Sequence, residues 1–228
     1  MVQILDFVVR NRLGFDVRIN SAQATVEDYR RALNEWIDQK KWARLRNPSV
    51  INCAGCNRCC QERIPLTIID IINLKQANES GVEADNTIVG EVQKWGYVWA
   101  KGPIVDITLR RLTSGTCIFL DPSTSLCRIY AHRPFVCQTY ICCPSSQRAQ
   151  SLRETIVNKG EDELVRLWLQ ELIQSGVDIQ NSPPVNQGKE VCLSLTDWSV
   201  TPFTGTESWS QVKLRDLCPD HLWEALRR

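Results

Sequence analysis

The sequence predicts an α+β fold that is rich in helix, with a small β-hairpin element and a cysteine-rich metal-binding centre packed among the helices. Three observations support this fold class. Apolar residues recur at helical spacing in segments near both ends of the chain. One central segment alternates apolar and polar residues as a strand does. Nine of the eleven cysteines lie within residues 53–143, which indicates one metal-binding region between the helical segments.

Length and charge exclude several classes of protein. The chain has 228 residues and a formal net charge of +1. A chain of this length buries about 70% of its unfolded surface, so it does not need a metal merely to complete a core. The charge argues against nucleic acid as a partner, and no apolar run approaches the ~20 residues of a membrane span. We expect a protein partner, which the sequence does not identify, and the oligomeric state stays open.

The first residues, MVQILDFVVRNRLGF, do not resemble a signal peptide. Asp6 comes early, and Arg10 and Arg12 precede any small-residue cleavage site. We therefore expect a cytoplasmic location, where thiols stay reduced and disulfides are rare. An odd total of eleven cysteines also fits a closed set of disulfides poorly.

The first helix is predicted in TVEDYRRALNEWIDQKKWARLR, beginning after Thr25. This stretch has acids in its first turn and bases near its end, as a helix dipole favours. Asn47-Pro48 is expected to end the helix, because the residue before proline avoids the helical conformation. The cysteine-rich run that follows carries no apolar period and is predicted to be a loop.

The middle of the chain is predicted to contain two helices and a hairpin. LTIIDIINLKQANESG should form a helix that is capped by Thr67 and stops near Gly81, with Asp70 supporting the cap or facing solvent. Another helix is expected within NTIVGEVQKWGYVWAKG, with Trp95 and Trp99 on one face. IVDITLRRL alternates as a strand, and CIFL is expected to be its hairpin partner.

The C-terminal part is again predicted to be helical. EDELVRLWLQELIQSG forms one amphipathic helix, and PDHLWEALRR forms a short one with Pro219 near its start. These features divide the chain into an N-terminal segment with an amphipathic helix, a cysteine-cluster metal-binding domain and a helical region packed on it: 1–46, 47–146 and 147–228.

The segment CAGCNRCC, residues 53–60, carries the first half of the predicted metal site. Cys53, Cys56 and Cys59 repeat a two-residue gap, which lets a tight turn aim successive sulfurs at one centre. Bacterial ferredoxins use the same run. Cys60 follows Cys59 directly, and the side chains of neighbouring residues diverge. We therefore expect two metal centres or one larger cluster.

The second half of the predicted site lies in CIFLDPSTSLCRIYAHRPFVCQTYICC. Its cysteines bring the total to eight thiolates, the number that two four-cysteine sites use. Cys143 competes with Cys142 for the last position, because Pro144 follows Cys143 as proline follows the remote ferredoxin ligand. The predicted metal ligands are Cys53, Cys56, Cys59, Cys60, Cys117, Cys127, Cys137 and Cys142.

On these motifs the sequence resembles the CxxCxxCC family of zinc- or iron-chelating domains. The family is also known as the YkgJ-type cysteine cluster proteins, and it includes flagellin N-methylases. The resemblance rests on CAGCNRCC, IPLTIIDI and CIFLDPSTSLCRIYAHRPFVCQTYIC, and it covers roughly residues 50–143. It implies metal chelation by the same eight cysteines, and it implies no particular reaction.

The ligand type does not separate zinc from iron, because both accept four cysteines. The ferredoxin-like run, and the lack of a histidine ligand in the core motif, favour one or more iron–sulfur clusters of the 4Fe-4S type, with zinc as the alternative. Either site carries negative charge that needs compensation. The candidates for this are Arg58, Arg63, Arg128 and Arg133.

Three functions are compatible with these residues. The expected one is electron transfer, or an accessory role in handling a metal or cluster. The first alternative is a metal-dependent methyltransferase or oxidoreductase that resembles flagellin N-methylase, and the second is a structural zinc module for protein interaction. No catalytic residue is assigned. His132, Cys192 and Cys218 are expected to lie outside the ligand set.

Overall fold

A computed structural model describes residues 1–39, 56–77, 87–179 and 185–228. The chain begins with an antiparallel hairpin of strands β1 (Val2–Val9) and β2 (Arg12–Ile19). Its two-residue turn places Arg10 and Asn11 at positive φ, as the turn that matches the twist of such hairpins requires. The sequence did not predict this hairpin, because Arg-Asn is a weaker turn signal than Asn-Gly.

The hairpin forms backbone hydrogen bonds with the segment that directly follows the cysteine-rich region. Phe15 N–H donates to Pro144 O at 3.0 Å, and Ser146 N–H donates to Phe15 O at 3.0 Å. The approach is so close that a Cβ on Gly14 would lie 2.2 Å from Pro144 O. A glycine is therefore required here by the contact between two backbones.

Helix α1 (Val26–Gln39) begins where it was predicted. Thr25 Oγ1 accepts a hydrogen bond from Asp28 N–H at 3.2 Å, and Asp28 Oδ2 accepts one from Thr25 N–H at 3.0 Å. This reciprocal cap satisfies two N–H groups that a helix leaves unpaired. The predicted end at Asn47-Pro48 lies outside the described residues.

Helix α2 (Ile68–Ala77) has a cap of the same kind, formed by Thr67 and Asp70. The prediction that Asp70 supports the cap is confirmed. The alternative that it faces solvent is wrong, because Asp70 is only 2% exposed. The predicted stop near Gly81 lies outside the described residues.

Helix α3 (Ile88–Trp95) runs directly into strand β3 (Gly96–Gly102), which pairs antiparallel with β4 (Ile104–Leu109). The strand prediction for β4 is confirmed, but CIFL is not its hairpin partner. Trp99 lies on β3, so the expectation that it shares a helical face with Trp95 is also wrong. The alternation of buried Val98 with half-exposed Trp99 is the period of a strand.

The remaining elements complete the helical part of the fold. Short helix α4 (Phe135–Thr139) precedes the long helix α5 (Gln147–Gln174), and strand β5 (Gln187–Val191) then pairs in parallel with β3. Helix α5 begins fourteen residues before the predicted segment, since Ser146 Oγ caps it by accepting from Ala149 N–H at 3.2 Å. Helices α6 (Leu214–Leu217) and α7 (Asp220–Arg227) follow.

One hydrophobic core joins these elements. Side chains from the N-terminal hairpin, from the helices and from the β3–β4 pair pack together, with Phe15, Phe135 and Trp168 among the largest fully buried residues. The predicted fold class, α+β and rich in helix, is confirmed. Within the described residues, no helix has the length and apolar character that a membrane crossing requires.

Candidate metal centre

The structure brings the two cysteine-rich segments together at one cavity of about 60 Å³. About 10–15 Å³ of such volume holds one water molecule, so there is space for small inorganic ions. Cys53 lies outside the described residues, and metal coordination by the others stays a prediction. The predicted ligands that line this cysteine cavity are Cys56, Cys59, Cys60, Cys117, Cys127, Cys137 and Cys142.

Tight turns place the sulfurs of the first segment. Cys60 N–H donates to Asn57 O at 3.1 Å and Glu62 N–H donates to Cys59 O at 3.0 Å, around a short 3₁₀ turn over Cys59–Gln61. The second segment is joined directly to this turn, because Cys117 N–H donates to Cys60 O at 2.8 Å. The convergence of two segments remote in sequence is therefore fixed by a backbone hydrogen bond.

Backbone N–H groups point at two of the sulfurs in the second segment. Cys117 Sγ accepts from Phe119 N–H at 3.4 Å. Cys127 Sγ accepts a similar bond from Ile129 N–H, two residues further on. Hydrogen bonds of this kind favour the ionised form of a thiol. The backbone after each cysteine is thus arranged to stabilise a thiolate, which is the form that binds metal.

Cys137 reaches the cavity from helix α4, which a buried carboxylate holds in place. Asp70 Oδ1 accepts the N–H of Phe135 at 2.7 Å while Oδ2 caps helix α2 through Thr67. Burial raises the pKa of Asp70 to about 6, although these hydrogen bonds lower it. The sequence indicated the cap that Asp70 forms but not its contact with α4, since the bond to Phe135 spans 65 positions.

Burial and crowding raise the pKa of the thiols around the cavity. Burial is the main cause for Cys117, Cys127 and Cys137, and neighbouring cysteines add to it. For Cys60 the main cause is the hydrogen bond with Cys59, and burial adds to it. Several thiolates are therefore unfavourable here by themselves, but a bound cation reverses this preference.

The donor set fits a thiophilic metal by its chemistry, because cysteine sulfurs select zinc, copper(I) and iron–sulfur clusters. In the described parts of the chain, no group of three Cys, His, Asp or Glu side chains is arranged so that it could hold a metal ion. The cavity, by contrast, is lined by seven cysteines. A cysteine sulfur turns about a single torsion between staggered positions, so these sulfurs can converge on a metal without movement of the backbone.

The same part of the chain matches a known family. Residues 52–162 match the family model CxxCxxCC, described as a "putative zinc- or iron-chelating domain". This segment is therefore similar to the CxxCxxCC family. The match confirms the resemblance found in the sequence and extends it into the first half of α5, and it supports metal binding by the domain. No curated protein and no solved structure matches the chain.

Among the described residues, Arg133 is the arginine that lines the cysteine cavity. Its Nε donates to Tyr130 O at 2.9 Å and its guanidinium lies 3.8 Å from the centre of the Tyr130 ring. The positive charge lowers the pKa of Cys127 and Cys137, against the larger effect of burial. Among the other candidates, Arg63 lies 3.5 Å from Asp106 instead.

The other described cysteines and His132 do not line the cysteine cavity. Cys143 is buried in the hydrophobic core, although its neighbour Cys142 lines the cavity. Cys192 is exposed, and Cys218 lines a different cavity, where burial raises its pKa to about 12. His132 is exposed and does not line the cysteine cavity.

Proposed function

We propose that the protein binds an iron–sulfur cluster of the 4Fe-4S type and acts in electron transfer or as a metal or cluster accessory factor. The observation that carries this proposal is the lining of one cavity by seven cysteines from two segments. A single tetrahedral zinc uses four ligands, so the surplus of sulfurs favours a cluster or several ions. We propose the cytoplasm as the location, because thiols stay reduced there.

The surroundings of the cavity support an electron-transfer role. An iron–sulfur cluster, when bound, accepts and donates single electrons, at a potential that depends on hydrogen bonds to sulfur and on exposure. Apolar side chains such as Ile64, Phe119 and Ile129 form much of the wall and exclude water. Tyr130 and Tyr140 also line the cavity but are 43% and 38% exposed. The site therefore lies near the surface, within reach of a partner.

Anaerobic purification followed by analysis of iron, acid-labile sulfide and zinc tests this proposal. We expect iron and sulfide in equal amounts, visible charge-transfer absorption, and reversible bleaching by dithionite. A colourless protein with stoichiometric zinc would refute the cluster and leave a structural zinc module. A coloured protein that cannot be reduced and does not release its cluster would refute both electron transfer and the accessory role.

The enzymatic alternative is tested with the same metal-loaded protein. A methyltransferase must bind S-adenosylmethionine, so calorimetric titration of this compound should give no heat if the proposal is right. Specific binding would favour the methyltransferase instead. The two experiments separate the identity of the metal from the presence of an enzymatic substrate site.

A further inference from the structure

A second concave surface lies on the β3–β4 sheet, beside the cysteine cavity. This sheet groove has a volume of about 470 Å³, within the range of roughly 300–1,000 Å³ that is usual for small-molecule sites. The groove is lined by Arg63, Tyr97, Trp99, Thr108, Leu109, Arg111, Leu112 and Gly115.

Two aromatic side chains form the floor of the sheet groove. Tyr97 and Trp99 are separated by one residue on β3, so both project from the same face of the sheet. Thr108 pairs with Tyr97 in the register of β4 and lies between the aromatic rings and the loop that carries Arg63. The rings are half-buried, and each provides a rigid apolar surface on which a planar group can stack.

Two arginines flank this floor. Arg111 donates from Nε to Gly115 O and from Nη2 to Gln61 O, both at 2.6 Å. Within the described residues, its Nη1 group has no hydrogen-bond acceptor. The Arg63 side chain is 57% exposed and forms a 3.5 Å ion pair with Asp106. Asp106 pairs with Trp99 in the register of β4 and so lies beside the groove, although it is not part of the lining. The groove therefore combines positive charge with an aromatic surface.

We propose that the sheet groove binds a planar aromatic phosphate of about mononucleotide size. The aromatic floor provides stacking, which is worth about 1–3 kcal/mol per base in proteins that bind nucleic acid bases. The guanidinium of Arg63 and the Nη1 group of Arg111 provide charged N–H donors for phosphate oxygens. A neutral aromatic ligand would leave the charges unused, and free phosphate would leave the rings unused.

The sheet groove is physically linked to the cysteine cavity. Leu109 lines both, and Arg111 is bonded to Gln61, the residue after Cys60. A ligand bound in the sheet groove would therefore lie close enough to the cysteine cavity to alter the surroundings of the metal centre. Binding of this phosphate would be a second function, in addition to metal binding. Its recognition does not depend on which metal the cysteines hold.

Calorimetry on the purified, metal-loaded full chain tests this inference with adenosine monophosphate, adenosine and inorganic phosphate as probes. We expect the monophosphate to bind at least about tenfold more tightly than either fragment, because each lacks one of the two sets of contacts. Equal affinity for adenosine, equal affinity for phosphate, or no heat from the monophosphate at millimolar concentration would each overturn the proposal.

Variants then assign the binding to the groove. Arg63→Gln and Trp99→Leu should each weaken binding of the monophosphate by about tenfold. Arg110→Gln is the matched control, since this arginine is next in sequence to Arg111 but lines a different cavity with Val92 and Trp168. An equal loss with Arg110→Gln would indicate non-specific attraction and overturn the site. Metal content and circular dichroism of each variant separate this result from damage to the metal centre.

Discussion

The adjacent cysteines 142 and 143 have different surroundings, and this difference leads to a direct test of the metal centre. Cys142 lines the cysteine cavity, whereas Cys143 is 7% exposed and packs in the core. We expect Cys142→Ala to lower the metal content per chain and Cys143→Ala to retain it, as measured by metal analysis after anaerobic purification. Full metal content in Cys142→Ala, together with loss in Cys143→Ala, would contradict the assignment.

We expect the stability of the protein to depend on pH because of Glu161. This residue lies on helix α5, outside the cysteine cavity. Burial raises its pKa to about 8, and the nearby Asp106 and Asp162 add to the shift, while Ile107 N–H donates to its Oε1 at 3.0 Å. Between the ordinary carboxyl pKa of 4.5 and about 8, the folded protein therefore holds a proton that the unfolded chain has released. The free energy of unfolding should fall as pH rises through this window.

Glu161→Gln tests this prediction because glutamine keeps the acceptor for Ile107 N–H and does not titrate. Relative to Glu161→Gln, the wild type should lose at most roughly 3 kcal/mol between pH 4.5 and 7 in urea unfolding. Glu154→Gln, an exposed change on the same helix, is the control and should leave the wild-type slope. An identical slope in wild type and Glu161→Gln would show that Glu161 is ionised in the folded protein.

At the scale of elements, two helices begin with the same type of cap but differ in one contact. Asp28 in α1 and Asp70 in α2 both accept from the threonine three residues earlier. Asp70 additionally accepts from Phe135 N–H and so joins α2 to α4, the helix that carries Cys137. This matched pair separates the effect of a cap from the effect of a contact between elements.

Asp70→Asn should therefore destabilise the protein by about 1–3 kcal/mol more than Asp28→Asn, because an amide places N–H donors against buried backbone N–H groups. We also expect Asp70→Asn, and not Asp28→Asn, to lower the metal content by displacing α4. Urea unfolding and metal analysis measure the two effects. If both variants lose the same stability and keep their metal, then Asp70 does not position Cys137.

At the scale of the whole molecule, the core extends well beyond the metal centre. Hairpin β1–β2, helices α1, α2, α5 and α7 and the β3–β4 pair all contribute buried side chains. Small zinc domains unfold when the metal is removed because they lack such a core. From the extent of this core, we expect the protein to remain folded when the metal is removed.

Removal of the metal by a chelator under reducing conditions should thus lower the melting temperature without abolishing the far-ultraviolet helix signal. The lower melting temperature reflects a loss of unfolding free energy, because a ligand that binds only the folded state stabilises it. This contribution is about 2.7 kcal/mol for a ligand at one hundred times its dissociation constant. Circular dichroism of matched samples with and without metal measures it. Complete loss of helix on chelation would mean that the metal holds the whole fold together.

Features that depend on neighbouring residues could be predicted from the sequence alone. The caps at Thr25 and Thr67 and the apolar periods of α1 and α5 act within one or two turns, so they identified the helices and the helix-rich fold class. The two-residue cysteine spacing is equally local, and it indicated a metal-binding domain before the match to the CxxCxxCC family supported it.

Features that join distant residues were decided only by tertiary structure. The partner of β4 is β3 rather than CIFL, since pairing depends on which strand packs beside it. The choice between Cys142 and Cys143 for the cavity follows from how the hairpin and α4 hold that segment, and the sheet groove combines residues up to 52 positions apart. The spacing of residues in the sequence determines local structure such as caps and tight turns. Contacts between distant residues are determined by the packing of the core.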